Sequence, residues 1–357
     1  MHRLVHISRG LNIQRISDAY RQAHSASYSR SRCKADNVTN LALDLKLNRE
    51  SEWTRKISIT KQCENIHSRA VGANVNPPWN SVQSDVKTIL KEEVDDHWKS
   101  VVEPLLSQGD FARLLVTCET DLSWKSIMFS LPKGVLKFAI NASIDSLPSF
   151  TNLKRWGKRL FDSCPLCNGK GTLLHILNNC QNMLDRYLWR HNNLIRIFLS
   201  VFQESRCFQN SSIQMYADIE NYTIGGGTIP PNVIATSQKP DIVLYWPTDK
   251  RVILFELSVP FEPNINKAHC TKLDRYSSLV SDIIDAGFDC SLVAIEIGSR
   301  GLIDTDNKNR LTRLSKDIQL PIKFSEFKTK LVKSVIMSSY SVYNARHEPS
   351  WNVNEII

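Results

Sequence analysis

The amino-acid sequence predicts a mixed α+β and α/β chain, with a mostly helical N-terminal half, a small Cys/His knuckle and an α/β C-terminal domain. Three observations carry this expectation. Apolar residues recur at helical spacing in several segments between residues 38 and 202; a C-x2-C-x7-H-x4-C cluster occupies 164–180; and short β-type runs surround one long helical segment beyond residue 222. At 357 residues and 42% hydrophobic, the chain is long enough for two or three domains and too apolar for disorder. The expected divisions are a basic, partly helical segment at 1–75, a helical linker region at 76–160, the knuckle at 161–182 and the α/β domain at 183–345.

Taken in order, residues 1–30 are rich in Ser and Arg with little periodicity, and are expected to be loose or weakly helical. Leu41, Leu45, Trp53, Ile57 and Ile66 suggest helix over 38–70, and the Pro pair within 74–79 marks a linker. Helices are expected at 82–106, 110–118 and about 134–143. A further helix, 183–202, should carry Leu184, Leu188, Leu194, Ile195, Phe198 and Leu199 on one apolar face. After a loop at 222–231 come strands at 241–246, 251–259 and 291–297, the first two joined as a hairpin by the four residues PTDK. Helices at 265–286, 309–318 and 324–339 complete the α/β pattern.

Lys and Arg number 45 against 36 Asp and Glu, a net charge of +9 that fits a nucleic-acid partner. The excess is concentrated around the knuckle, where Lys154, Arg155, Lys158, Arg159, Lys170, Arg186, Arg190 and Arg196 face only Asp162 and Asp185. Ordinary solvated helix faces are the alternative reading. No stretch approaches the roughly 18–20 apolar residues of a membrane helix, and the first residues lack the apolar core of a secretory signal. No membrane partner is expected. Of nine cysteines, six are scattered singly and read as reduced thiols packed like small apolar residues.

The remaining three, Cys164, Cys167 and Cys180, together with His175, have zinc-ligand spacing. Zinc takes four soft or borderline donors in a tetrahedron, and a closed set of protein ligands is structural rather than catalytic. The C-x2-C turn supplies two thiolates. Gly169 and Gly171 can take positive φ to reverse the chain, and Thr172 can cap a short helix carrying His175. A buried histidine beside unrelated cysteines is the alternative, with His191 and Cys207 as substitute ligands.

A second signal lies on the expected strands. Asp241 opens one and Glu256 sits in the next, fifteen residues later, between apolar Phe255 and Leu257. A carboxylate buried there needs a metal or a cation. Two such groups on neighbouring strands can share Mg²⁺, which favours hard oxygen donors. Two solvent-facing strand-end carboxylates are the plain alternative.

Residues 151–298 resemble the C-terminal region of non-LTR retrotransposon polyproteins that carry a CCHC zinc knuckle and a restriction-like endonuclease of the PD-(D/E)xK superfamily. Four motifs carry the resemblance in order: SLPSFTNLKRWGK at 146–158, the knuckle at 164–180, RYLWRHNNLI at 186–195, and KPDIVLYW followed by FELSVPFEPNINKAHCTKLDRY. The helices at 98–133 resemble, less specifically, the linker helices after the polymerase thumb. The resemblance implies a PD-(D/E)xK-like α/β domain in which Asp241 and Glu256 hold catalytic Mg²⁺ or Mn²⁺. The superfamily's lysine is replaced by Ser258; Lys272 is its counterpart on the next helix, with Tyr276 one turn on. Lys272 could equally be a solvated helix residue. Glu262 is a third, weaker carboxylate.

Arg190 and His191 match the family's Arg/Lys-His-Asn/Asp motif, implying DNA contact or support of the site, although His191 also fits a packed position. With Lys154, Arg155, Lys158 and Arg159 they form the expected nucleic-acid surface. The family also implies a nuclear protein that nicks DNA, with retroelement RNA as a second partner. Asp95-Asp96 lies in a helical acidic stretch rather than a strand turn, so a reverse transcriptase would have to come from elsewhere. The rival readings are an inactive nucleic-acid-binding remnant and a purely structural zinc protein.

Overall fold

The computed structural model describes residues 16–34, 37–48, 59–73, 78–102, 104–106, 108–117, 127, 130–210 and 212–351. Trp53 and Ile57, expected in a helix, lie outside them. The chain divides into two compact units, Met1–Gly109 and Asp110–Ile357. The region expected as a single linker at 76–160 is therefore divided after Gly109, and the knuckle belongs to the same unit as the sheet. No helix among the described residues is long and apolar enough to cross a membrane.

The first unit contains α1 (Ile16–Lys34), α2 (Asn37–Asn48), α3 (Ile59–Val71) and α4 (Trp79–Val102). α1, α3 and α4 pack against one another, with Ile66, Val82, Val86 and Leu90 at the centre. Arg21 pairs with Glu93 at 2.5 Å and Arg32 with Asp44 at 2.6 Å. α1 is a regular helix where the composition suggests weak helicity. On α2, Leu41 and Leu45 are exposed, so their helical spacing marks no core here. Asp95 and Asp96 lie inside α4.

The second unit begins with α5 (Asp110–Thr117), α6 (Lys133–Ser143) and α7 (Phe150–Arg155), and continues through the knuckle to α8 (Leu184–Gln203) and α9 (Arg206–Asn210). A four-stranded sheet follows, in the order β1 (Gln214–Ala217), β2 (Ile242–Trp246), β3 (Arg251–Ser258) and β4 (Asp289–Glu296). β1, β2 and β3 are antiparallel neighbours, whereas β3 and β4 run parallel and are joined by α10 (Ile265–Asp285). A parallel pair needs such a crossover. α11 (Thr305–Asp317) and α12 (Phe324–Asn344) complete the unit. The architecture is thus mixed α+β, with a small mixed sheet. The edge strand β1 is an addition to the expected elements.

Helices cover both sheet faces, so β2 and β3 read as continuous apolar runs. Side chains alternate across a strand. Ile253, Phe255 and Leu257 meet Leu194, Phe198, Leu311 and Phe327 of α8, α11 and α12. Val252 and Leu254 point the other way, with Val243 and Tyr245, onto Tyr276, Leu279 and Ile283 of α10.

α8 corrects the expected apolar face. Leu184 and Leu188 are 56% and 58% exposed, while Arg186 and Arg190 are buried. The buried stripe runs Arg186, Arg190, Leu194, Phe198 and Phe202, at i+4 steps. The arginines are admitted because backbone carbonyls and a hydroxyl from distant segments meet their guanidiniums. Arg186 Nη1 donates to Ala345 O at 2.6 Å, and Arg190 donates to Leu177 O at 2.9 Å and Ser339 Oγ at 3.0 Å.

Candidate functional site

The knuckle is built on a short two-strand bridge and one helical turn. Ser163 pairs with Lys170, and Cys164 N–H donates to Gly169 O at 2.7 Å, closing the loop that carries Cys164 and Cys167. The reversal uses Asn168, at φ 60, rather than either glycine. The short side chain of Asn tolerates this left-handed region. Gly171 is needed for close packing instead, since a Cβ there would run into the Phe150 ring. As expected, Thr172 caps the following turn, with His175 N–H donating to its Oγ1 at 3.1 Å. A π-helical turn, His175–Asn179, then delivers Cys180.

These elements bring Cys164, Cys167, His175 and Cys180 together, with one ligand atom from each within 4.8 Å of all the others. Cys167 Sγ lies 3.2 Å from His175 Nε2 and 3.6 Å from Cys180 Sγ, and Cys164 Sγ lies 3.9 Å from Cys180 Sγ. Zinc–sulfur bonds of about 2.3 Å at tetrahedral angles place sulfurs about 3.7 Å apart, so the cluster could hold a metal ion such as zinc. The cysteines are free thiols. Burial pushes the Cys180 thiol up to about 12. His191 and Cys207 are not part of the group: His191 lies at the carboxylates and Cys207 Sγ faces Asp317 O.

The second constellation lies at the C-terminal end of β3. The register Ile242↔Phe255 continues to place Asp241 opposite Glu256. Both belong to the alternating set that faces α10. Asp241 N–H donates to Glu256 Oε1 at 3.1 Å, and Leu257 N–H donates to Asp241 Oδ2 at 2.7 Å. Lys272 reaches in from α10, with its ammonium hydrogen-bonded to Glu256 Oε2 and 3.8 Å from Asp241 Oδ2. His191, from α8, places Nε2 3.2 Å from both Asp241 Oδ2 and Leu257 O. Tyr276, one turn beyond Lys272, is buried and donates to Lys239 O at 3.1 Å.

The two carboxyls differ in acidity. Burial pushes Glu256 up, and the neighbouring Asp241 charge adds to it despite Lys272. Burial also acts on Asp241, but His191, Lys272 and the Leu257 N–H outweigh it and hold that carboxyl below its ordinary value. Two adjacent acids pushed in opposite directions suit a site that holds one negative charge firmly and can exchange the other. Burial lowers the affinity of His191 for a proton, yet Asp241 more than restores it, and the imidazole titrates above its usual value.

Other expected positions fall elsewhere. Arg190, expected at the nucleic-acid surface, is 2% exposed and has its guanidinium committed to Leu177 O and Ser339, so it cannot meet a phosphate. Glu262 is not a third carboxylate of this site: it is buried against Arg300, with Nε to Oε2 at 2.6 Å. Arg300 also reaches Asp110 at 3.2 Å and lies over the Phe111 and Phe261 rings. Lys154, Arg155 and Lys158 are exposed; Lys154 pairs with Asp162 at 3.3 Å, and the Arg159 guanidinium lies over Phe150.

One cluster carries no sequence signal. Glu296, fully buried at the end of β4, accepts from His269 of α10 at 3.2 Å and from Arg310 of α11 at 3.2 Å. It ties both helices to the sheet edge beside the carboxylate pair. Comparison with known proteins adds no identity to this geometry: no family model and no curated protein matches the chain.

Proposed function

We propose that the chain is a metal-dependent DNA endonuclease derived from the downstream part of a non-LTR retroelement polyprotein, with its PD-(D/E)xK-like core in the second unit and the knuckle as a zinc-braced aid to nucleic-acid binding. The observation that supports this most is the meeting of Asp241, just before β2, with Glu256 of β3 and Lys272 of α10. The donor chemistry fits a hard divalent cation: two adjacent carboxylates, one buried in an otherwise apolar strand. Asp241 and Glu256 would hold Mg²⁺ or Mn²⁺. When bound, that ion supplies polarisation of a scissile phosphate and a more acidic water.

The chain's own groups divide the remaining work. Asp241, held ionised by His191 and the Leu257 N–H, fixes one oxygen donor in place. Lys272 compensates Glu256 and lies where its ammonium would also reach a phosphate or an attacking water held at the pair. Tyr276, anchored on Lys239 O, fixes the helix turn from which Lys272 projects. The product is a nicked strand, and the setting that the family reading implies is the nucleus.

The test is nicking of supercoiled plasmid by the full chain with Mg²⁺ or Mn²⁺, compared with Asp241→Asn and Glu256→Gln. Cleavage that requires both carboxylates supports the reading. Binding without cleavage under either metal favours the second reading, an inactive nucleic-acid-binding remnant, for which the ammonium already seated on Glu256 is the specific observation.

A further inference from the structure

Beside the carboxylate pair, α10 and the end of the knuckle border an open groove of about 380 Å³, whose lining includes Asn179, Lys267, Thr271, Lys272 and Arg275. The α10 residues in it form one stripe at helical spacing, and the groove's far wall is the residue preceding Cys180. Three of the lining side chains are cations, and none is a carboxylate. Lys267 and Arg275 are exposed. Neither has an ion-pair partner among the described residues, in contrast to Lys272, which is committed to Glu256.

A groove of this composition selects an anion, and its dimensions say which kind. From Lys267 to Arg275 the helix rises about 12 Å, whereas nucleic-acid phosphates recur about every 3.4 Å of axis along one strand. The stripe is therefore long enough to meet more than one phosphate of a strand. Lys272, in the middle of it, also touches the carboxylates, so a strand lying here passes directly over them.

We infer that this groove is the track of the DNA strand, with Lys267 and Arg275 contacting phosphates on either side of the one presented to Asp241 and Glu256, and with Asn179 lending the knuckle's end as the opposite wall. The destination of that strand rests on the nuclease reading; the track itself does not. The knuckle then contributes to the site through its position as well as through any charge it carries.

The experiment uses the full chain, a fluorescein-labelled DNA duplex and anisotropy across a NaCl series without divalent ions, with plasmid nicking in Mg²⁺ run in parallel. Lys267→Gln/Arg275→Gln is compared with Arg313→Gln/Lys316→Gln, which removes the same charge from α11 on the other sheet face. Circular dichroism establishes that both remain folded. The groove variant should bind about tenfold more weakly or worse, as expected for removing two charge-assisted hydrogen bonds to phosphate. Its log–log salt slope should flatten by about 0.9 for each phosphate no longer neutralised. The α11 variant should resemble the unmodified chain.

A groove variant with unchanged affinity and slope overturns the track, and nicking by the unmodified chain in the same series would leave the nuclease reading standing. Groove-dependent binding without nicking does the reverse: the track is upheld and the nuclease reading fails. No binding by the unmodified chain overturns the track, and the parallel nicking series decides the nuclease reading on its own.

Discussion

The backbone N–H of Asp241 donates to Glu256 Oε1 at 3.1 Å, so one carboxyl is held by the main chain of the residue that carries the other. Removing either acid therefore leaves the strands paired and deletes one oxygen donor. Asp241→Asn and Glu256→Gln should each abolish nicking while leaving DNA affinity within about twofold, because affinity rests on exposed cations. Lys272→Ala should slow nicking less than Asp241→Asn does, since a bound metal would share the water activation. Equal losses from Lys272 and Asp241, or a carboxylate variant that still nicks, would contradict this division.

The knuckle should bind one zinc per chain. Cys180→Ser removes a buried ligand that touches both other thiols, and should reduce the zinc content measured by elemental analysis and lower Tm. A chelator should lower the Tm of the unmodified chain towards that of the variant, since metal binding contributes directly to folding. A chain purified without zinc and unaffected by chelation would refute the assignment.

His191 makes stability depend on pH in a defined direction. Its folded value is raised, with Asp241 outweighing the effect of burial. A raised basic group contributes fully below its unfolded value, and the contribution fades as pH rises through the folded one. The Tm gap between the unmodified chain and His191→Gln should therefore shrink as pH climbs above the histidine range. A gap that widens there would show that the pair is not formed.

Glu262 and Arg300 are both completely buried. Glu262→Gln leaves the Arg300 charge with Asp110 as its one acidic partner among the described residues. Breaking a buried pair from one side costs about 3–5 kcal/mol, readable as a lower midpoint in urea. A variant of unchanged midpoint would show that Asp110 and the flanking rings suffice for Arg300.

Much of this is legible in the sequence, and the reason differs by region. A four-residue loop between Trp246 and Arg251 fixes the hairpin register arithmetically, which carries Asp241 opposite Glu256. The knuckle is legible because metal ligands must be close together in space and here are also close in sequence. β1 is not: four residues paired along one edge of β2 carry too little periodicity to register. The buried arginines of α8 escape the pattern because spacing alone cannot distinguish an arginine that meets distant carbonyls from one that meets water. The partners of Glu296 and Glu262 lie 14–38 residues away and on other elements, beyond any local pattern.

The carbonyls that receive Arg190 belong to two different pieces of chain: Leu177, in the knuckle, and Val259, just past β3, at 2.9 and 3.4 Å. A single guanidinium thus joins the turn that carries the Cys/His cluster to the strand that carries Glu256. This makes the knuckle a poor candidate for transplantation. Excised at residue 182 it would lose the donor that satisfies its last turn, and the remainder of the unit would keep an arginine with a missing acceptor. A fragment intended to behave like the intact protein has to begin near Asp110 and retain α8, β3 and the knuckle as one inheritance.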